Sequence, residues 1–197
     1  VVTGGSRGIG AGTAESFARE GAKVALVGRD RGALDDVAKR IGGAAIACVA
    51  DCTKANEIGA AVARSESELG PIDVVLAFAG GGDNKPTTSL SEEKWRGVLD
   101  NNLTATFLTI QAVLPRMIER KRGSIVTMSS SAGRAPGQAS LAYAVAKAGV
   151  VMLTQHLAKE FGASGVRVNC IAPSAIMTEW MRANIPAPVQ EQMRAQF

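Results

Sequence analysis

The chain has 197 residues, 22 of them basic and 18 acidic, with a formal net charge of +4 and 46% hydrophobic residues. That length is the prior for one domain, and that balance excludes disorder of the whole chain and a collagen-like fibre. The basic residues are spread out, densest at Lys121-Arg122 with Arg116 and Arg120 nearby, which leaves no footprint for nucleic acid. Val1-Val2 is the tail of an apolar strand. It runs into the glycine-rich turn Thr3-Gly4-Gly5-Ser6-Arg7-Gly8-Ile9-Gly10, after which Ile9, Ala14, Phe17 and Ala18 recur at helical spacing. Residues 23–27 form an apolar strand, and residues 33–41 put Leu34, Val37, Ala38 and Ile41 on one helical face. Residues 44–49 and 72–79 repeat the apolar strand type, with Ile58, Ala61, Val62, Ser65 and Leu69 marking an amphipathic helix between them. The spacing then predicts a helix over 95–114 with Pro115 near a kink, a strand over 124–128, a long helix over 142–161 and a strand over 166–172. The tail from Pro173 carries Pro186 and Pro188 and ends in a helical stretch. Strands apolar on both faces, alternating with helices, require a parallel sheet covered on both sides. Six βα steps without a linker predict a single α/β domain, a three-layer doubly wound parallel sheet of the Rossmann type with right-handed crossovers.

No run approaches the ~20 consecutive apolar residues of a membrane span. The opening Val1-Val2-Thr3-Gly4-Gly5 lacks the basic and apolar regions of a signal peptide. A soluble protein of the cytoplasm is expected, with neither membrane nor nucleic acid as partner. Cys48, Cys52 and Cys170 are odd in number, and with the single His156 they complete no zinc-ligand set. They are expected to be structural thiols in a reducing compartment, with no metal bound.

In a parallel sheet the turn after the first strand gathers free backbone N–H groups at the positive end of a helix dipole, where a dinucleotide pyrophosphate sits. Gly4, Gly8 and Gly10 are placed for this, although their spacing is G-x-x-x-G-x-G and not G-x-G-x-x-G. A tight turn with close helix packing is the structural alternative. The segment Thr3 to Gly10 also resembles the cofactor loop of the classical short-chain dehydrogenase/reductase family. About 20 residues on, an acid would accept the ribose 2′-OH of NAD, while an Arg would hold the 2′-phosphate of NADP. The segment there is Val27-Gly28-Arg29-Asp30. In the family the discriminating acid aligns with Gly28, and Arg29 with Arg7 resembles the basic pair of NADP users, whose guanidinium forks suit phosphate. NADP(H) is therefore favoured, with NAD(H) as the alternative. Asp30 is a competing 2′-OH acceptor or an N-cap of the next helix. Asp51-Cys52 matches the family's adenine-contacting Asp and its neighbour, Asp51 being alternatively another N-cap.

Tyr143 and Lys147 are four apart in a helical pattern and so project from one face. An ammonium near a phenol favours the phenolate, which suits a general acid/base acting on a carbonyl or alcohol. Tyr143 is the only Tyr, and Ser130 lies 13 residues upstream at the end of an apolar strand. Here the resemblance to the family becomes specific and runs from residue 1 to about 181. Ser130, Tyr143 and Lys147 fit its Ser, Tyr and Lys, Gly133 follows, Asn102 in Asn101-Asn102-Leu103 fits its Asn, and Val168-Asn169 with Ala172-Pro173 fits the segment after the sixth strand. Ser129 and Ser131 are rivals for the serine role, and spacing favours Ser130. The resemblance implies that Tyr143 exchanges the proton and Ser130 hydrogen-bonds the substrate oxygen. It implies that Lys147 binds the nicotinamide ribose and depresses the Tyr143 pKa, and that Asn102 holds a water in a proton relay. It further implies cofactor contacts from Gly4, Gly5, Ser6, Arg7, Gly8, Ile9, Gly10, Arg29, Asp51, Cys52, Phe78, Ala79, Gly80, Tyr143, Lys147, Pro173, Ile176 and Thr178.

Three features depart from the family. Its N-N-A-G is here Ala77-Phe78-Ala79-Gly80, Ser174 replaces the Gly of P-G, and the family continues some 50 residues further with a helix and a last strand. The end of the domain is therefore expected to be missing. The implied function is an NADP(H)-dependent oxidoreductase that interconverts a carbonyl and a secondary alcohol. Two readings stand beside it: a catalytically weak or inactive cofactor-binding sensor or scaffold of the same fold, motivated by Ala77-Phe78, and a nucleotide-binding regulator of nucleic acid, for which the required basic face is missing. The helices over 104–120 and 142–161 are expected to build a homotetramer through Ala105, Ala112, Ala146, Val150 and Val151. Residues 123–147 resemble 3-oxoacyl carrier-protein reductases, while the loops 81–90, 134–142 and 175–188 select no substrate.

Overall fold

The computed structural model describes residues 1–82, 86–137 and 139–194. Six parallel strands form one sheet in the order β3-β2-β1-β4-β5-β6. They are β1 (Val2–Thr3), β2 (Val24–Gly28), β3 (Ala45–Val49), β4 (Val74–Ala77), β5 (Gly123–Met128) and β6 (Val166–Ile171). Val2 pairs with Leu26 of β2 on one side and Leu76 of β4 on the other. The order of a doubly wound sheet thus reverses at β1, and a crevice opens beyond the strand ends at that point.

The helices are α1 (Gly8–Arg19), α2 (Arg31–Ile41), α3 (Ala55–Leu69), α4 (Glu92–Leu99), α5 (Ala105–Glu119), α6 (Leu141–Phe161), α7 (Glu179–Asn184) and α8 (Ala187–Arg194). Side chains alternate across the sheet with period two. Val24, Leu26 and Leu76 pack on one face with Ala14 of α1 and with Leu34 and Val37 of α2. Val75, Ala77 and Ile125 pack on the other with Val62 of α3 and with Ile110, Val113 and Met117 of α5. Ile58, Leu34, Ile110 and Met117 are fully buried, and each such side chain contributes roughly 1.5–3 kcal/mol of transfer free energy.

The structure corrects four expectations. The helix expected over 95–114 starts earlier, at Glu92, and its irregularity is a π-helical turn over Asp100–Thr104 that carries Asn101 and Asn102. Pro115 lies inside α5. Coverage on both faces fails at β6, where Arg167, Asn169 and Ile171 are exposed between buried Val166 and Val168. Ala105, Ala146 and Val150, expected to face outward, are 0–1% exposed. The outward residues of α5 and α6 are Phe107, Val145 and Met152. Finally, α6 is long and apolar enough to cross a membrane, its most apolar 18-residue window having a mean hydropathy of 1.2. It packs instead on β5 and β6 and carries a buried lysine.

Candidate active site

The crevice is a cleft of about 910 Å3 along the carboxyl ends of β1, β2, β3, β4 and β5. At its floor is the glycine turn. Gly4 adopts φ +70°, and a Cβ on Gly10 would lie 2.2 Å from the Gly4 carbonyl oxygen. Only glycine at 10 lets α1 start this close to the turn. The N-cap Arg7 is extended (φ −163°, ψ 171°) and makes no side-chain cap, and the first turn of α1 holds no acid. The first-turn N–H groups of an α-helix have no intrahelical partners. This uncapped end therefore fits an anionic pyrophosphate.

Of the residues assigned to the cofactor, Gly4, Ser6, Arg7, Ile9, Gly10, Arg29, Asp51, Cys52, Phe78, Ala79, Gly80, Tyr143, Lys147 and Thr178 line this cleft. Gly5 is buried beneath it, a Cβ there meeting the Val2 carbonyl and Leu26. Gly8 and Ile176 line an adjoining groove of about 600 Å3 between α1, α2 and α7, which shares Ser6, Arg7, Ile9, Asp30 and Thr178 with the cleft. Pro173 is spent on a backbone bond, its carbonyl accepting the Ser131 N–H at 2.9 Å. Thr178 caps α7, accepting the Met181 N–H at 3.3 Å.

Asp30 does cap α2, its Oδ1 accepting the Ala33 N–H at 3.1 Å, while its Oδ2 accepts from Arg7 Nη2 at 3.0 Å. Asp51 is not a helix cap. It accepts the Thr53 N–H and hydroxyl at 2.9 and 2.8 Å, and the Thr53 backbone bond holds its carboxyl below the usual range, with Arg29 adding to the effect. The Cys52 thiol is buried, which pushes it up to about 11 and leaves it inert.

Where the family has two amides, this chain has Ala77 and Phe78, and the wall they belong to is held through Thr3. Its Oγ1 accepts the N–H groups of Phe78 and Ala79 at 3.1 and 3.2 Å and keeps that wall of the cleft in place. Sequence reading missed Thr3, although a threonine closing an apolar strand one residue before the glycine turn was a visible signal. Ser174 has no left-handed backbone to satisfy, because Lys121 is the only described non-glycine residue with positive φ.

Tyr143 and Lys147 project one turn apart from α6. The Lys147 ammonium lies 5.5 Å from the Tyr143 ring centroid, is 2% exposed and donates to the Met128 carbonyl at 2.8 Å. Burial lowers its pKa to about 8. The three candidate serines separate by partner. Ser129 Oγ donates to the Lys147 carbonyl at 2.7 Å and so ties β5 to α6. Ser131 opens a short 3-10 turn, and Ser130 alone of the three acts on the Tyr143 phenol, lowering its pKa. The expected depression of Tyr143 is not found. Burial pushes the phenol up, and only the Ser130 bond counters it. Gly82, another residue the sequence did not flag, packs on the ring so closely that a Cβ would sit 3.1 Å from Tyr143 Cδ2.

Asn102 lies behind the cleft wall, fully buried. Its Oδ1 accepts the Gly81 N–H at 3.1 Å, and its Nδ2 donates to the carbonyls of Gly81 and Val98 at 2.8 and 2.9 Å. The side chain is a brace for the loop that covers Tyr143. The loops expected to bound a substrate include residues 83–85 and 138, which lie outside the described residues.

Comparison with known proteins agrees with this geometry. The family model for short chain dehydrogenases matches residues 1–188. The chain is 39% identical over 185 residues to a 3-oxoacyl-(acyl-carrier-protein) reductase of Chlamydia muridarum, covering 91% of this chain and 74% of that protein. It is 38% identical over 184 residues to a D-threitol dehydrogenase of Mycolicibacterium smegmatis, covering 91% and 70%. The crystal structure of a putative short-chain dehydrogenase/reductase from Burkholderia xenovorans superposes with a TM-score of 0.91 at 30% identity, covering 100% of this chain and 80% of that one. With a family model matching residues 1–188 and a relative 39% identical over 185 residues, the chain belongs to the short-chain dehydrogenase/reductase family.

Proposed function

We propose that this oxidoreductase uses NADP(H) to interconvert a carbonyl and a secondary alcohol, with Tyr143 as the general acid/base. The observation that carries the reading is the placement of Tyr143 at the wall of a glycine-floored cleft, beside Ser130 and one helix turn from a buried Lys147. The nicotinamide supplies or accepts the hydride when bound. Burial keeps the phenol protonated at neutral pH, so Tyr143 is ready to give its proton to a substrate oxygen during reduction. Ser130 holds the phenol and shares a hydrogen bond with the same oxygen. Lys147, fixed by the Met128 carbonyl, places a positive charge beside the phenolate left after transfer. Arg7 and Arg29 line the cleft. They support the choice of NADP(H), because a guanidinium fork matches a 2′-phosphate.

In a Tyr143→Phe variant, NADPH oxidation with a panel of ketones is expected to fall at least ~100-fold, within the range of a lost general acid. NADPH binding by fluorescence should stay within about twofold. Retention of most of the activity overturns the assignment. Phe107, Val145 and Met152, exposed on α5 and α6, support assembly of copies through these helices as a homotetramer, and light scattering that returns a monomer at micromolar concentration removes it.

A further inference from the structure

The ribose end of the cleft holds two charge pairs. Arg7 Nη2 and Asp30 Oδ2 are 3.0 Å apart, and both side chains are more than half exposed. Arg29 lies close enough to Asp51 to help hold its carboxyl low. Lys54 also acts on Asp51, and Glu57 Oε2 accepts the Asp51 N–H at 2.8 Å, so three cations and three carboxylates sum to zero and an incoming 2′-phosphate meets a neutral cluster and not a bare cationic one. Asp30 is fixed at the centre of this arrangement, because its other oxygen caps α2 on the Ala33 N–H. It cannot swing away with Arg7 without uncapping the helix.

We propose that Asp30 is a specificity-determining residue that restrains the preference for the phosphorylated cofactor. It occupies the Arg7 guanidinium in an ion pair that a 2′-phosphate must displace, and its own charge repels that phosphate. A ribose 2′-OH meets neither obstacle and finds in Asp30 an acceptor. The inference rests on the reading that Arg7 faces the cofactor's ribose end, and it deepens the cofactor choice made above.

The test is Asp30→Asn, because Asn caps a helix as well as Asp does while removing the charge and replacing the oxygen that accepts from Arg7 by an NH2 donor. Asp30→Ser, which also caps, is the second variant should the first fold poorly. Dissociation constants for NADPH and NADH are read by fluorescence titration, together with 2′,5′-ADP and 5′-AMP by calorimetry. Losing an exposed ion pair and a screened repulsion should tighten NADPH and 2′,5′-ADP about three- to tenfold, with NADH and 5′-AMP unchanged or weaker. The gain should shrink in 0.5 M salt and shrink likewise in an Arg7→Ala background, where only the relieved repulsion remains. An unchanged NADPH/NADH ratio in both variants, or a ratio moving toward NADH, overturns the proposal. So does a gain that is undiminished without Arg7. The wild-type ratio tests the NADP(H) reading separately: a wild type that prefers NADH defeats that reading, while the shift on Asp30→Asn still decides this one.

Discussion

Asn102→Ala is the sharpest perturbation the site offers. The amide is fully buried and makes three hydrogen bonds, two to Gly81 and one to the Val98 carbonyl. At about 0.5–1.5 kcal/mol net for each, their loss costs about 3 kcal/mol. The Gly81 groups are exposed enough to recover water, whereas the Val98 carbonyl belongs to the one buried residue of α4 and bears the larger desolvation cost. For a chain of this size that corresponds to a fall in Tm of roughly 6–12 °C. The functional effect follows from the same atoms. With residues 80–82 released, the backbone packed on the Tyr143 ring is no longer fixed, and kcat should fall further than cofactor affinity. Asn102→Asp separates brace from volume. It keeps the acceptor for Gly81 N–H but points a carboxylate at two carbonyl oxygens, so its pKa must rise. A raised carboxyl contributes stability below its unfolded pKa and loses it as pH climbs through the folded one. Asn102→Asp should therefore approach the wild type at pH 4–5 and fall below Asn102→Ala at pH 8. Thermal melts and steady-state kinetics on both variants read these effects. A change in Tm under ~1 °C with full turnover for Asn102→Ala refutes the brace.

Two further outcomes follow from the site. Burial moves Lys147 from its ordinary 10.5 to about 8, which at 1.36 kcal/mol per pH unit is a cost of about 3 kcal/mol to the folded state whenever both states are charged. Between pH 8 and 10.5 the unfolded chain holds the proton and the folded one does not, so wild-type stability should rise across that window. Lys147→Met should lose the rise and, after the lost bond to the Met128 carbonyl, gain about 1–2 kcal/mol at pH 7 while losing turnover; denaturant melts that show Lys147→Met less stable at pH 7 contradict this. Thr3→Val, of nearly the same shape, leaves the Phe78 and Ala79 N–H groups without their acceptor. It should cost about 2–4 kcal/mol by urea unfolding and weaken cofactor binding, Thr3→Ser restoring both; a neutral Thr3→Val would mean that the wall is held by other contacts.

Several features were legible along the chain because each is set by short-range pattern. Apolar runs of four to eight residues gave the strands, their alternation with helical periods gave the parallel sheet, and the Tyr143/Lys147 spacing placed both on one helical face. Less legible was anything decided by which backbone atoms meet across the sheet. The resemblance implies that Asn102 holds a water in a proton relay; the π-helical turn over Asp100–Thr104 sets its side chain against Gly81, 21 residues away, where it braces the loop. Asp30 looked like either a cap or a ribose acceptor, and the fold makes it a cap that also neutralises Arg7. Ala105, Ala146 and Val150 looked available for assembly because small residues carry no directional signal, and their own core absorbed them.

Periodicity and composition by themselves determined the class of fold and the order of its elements, since those depend on neighbours three or four residues apart, while the candidate reactive side chains came from the resemblance to the family. The tertiary structure alone decided the electrostatics. The Tyr143 phenol is pushed up and the Lys147 ammonium down by burial, and burial exists only once β4, β5 and α6 have closed around them. Desolvation depends on the distance to every surrounding atom, and no local stretch of sequence contains that information.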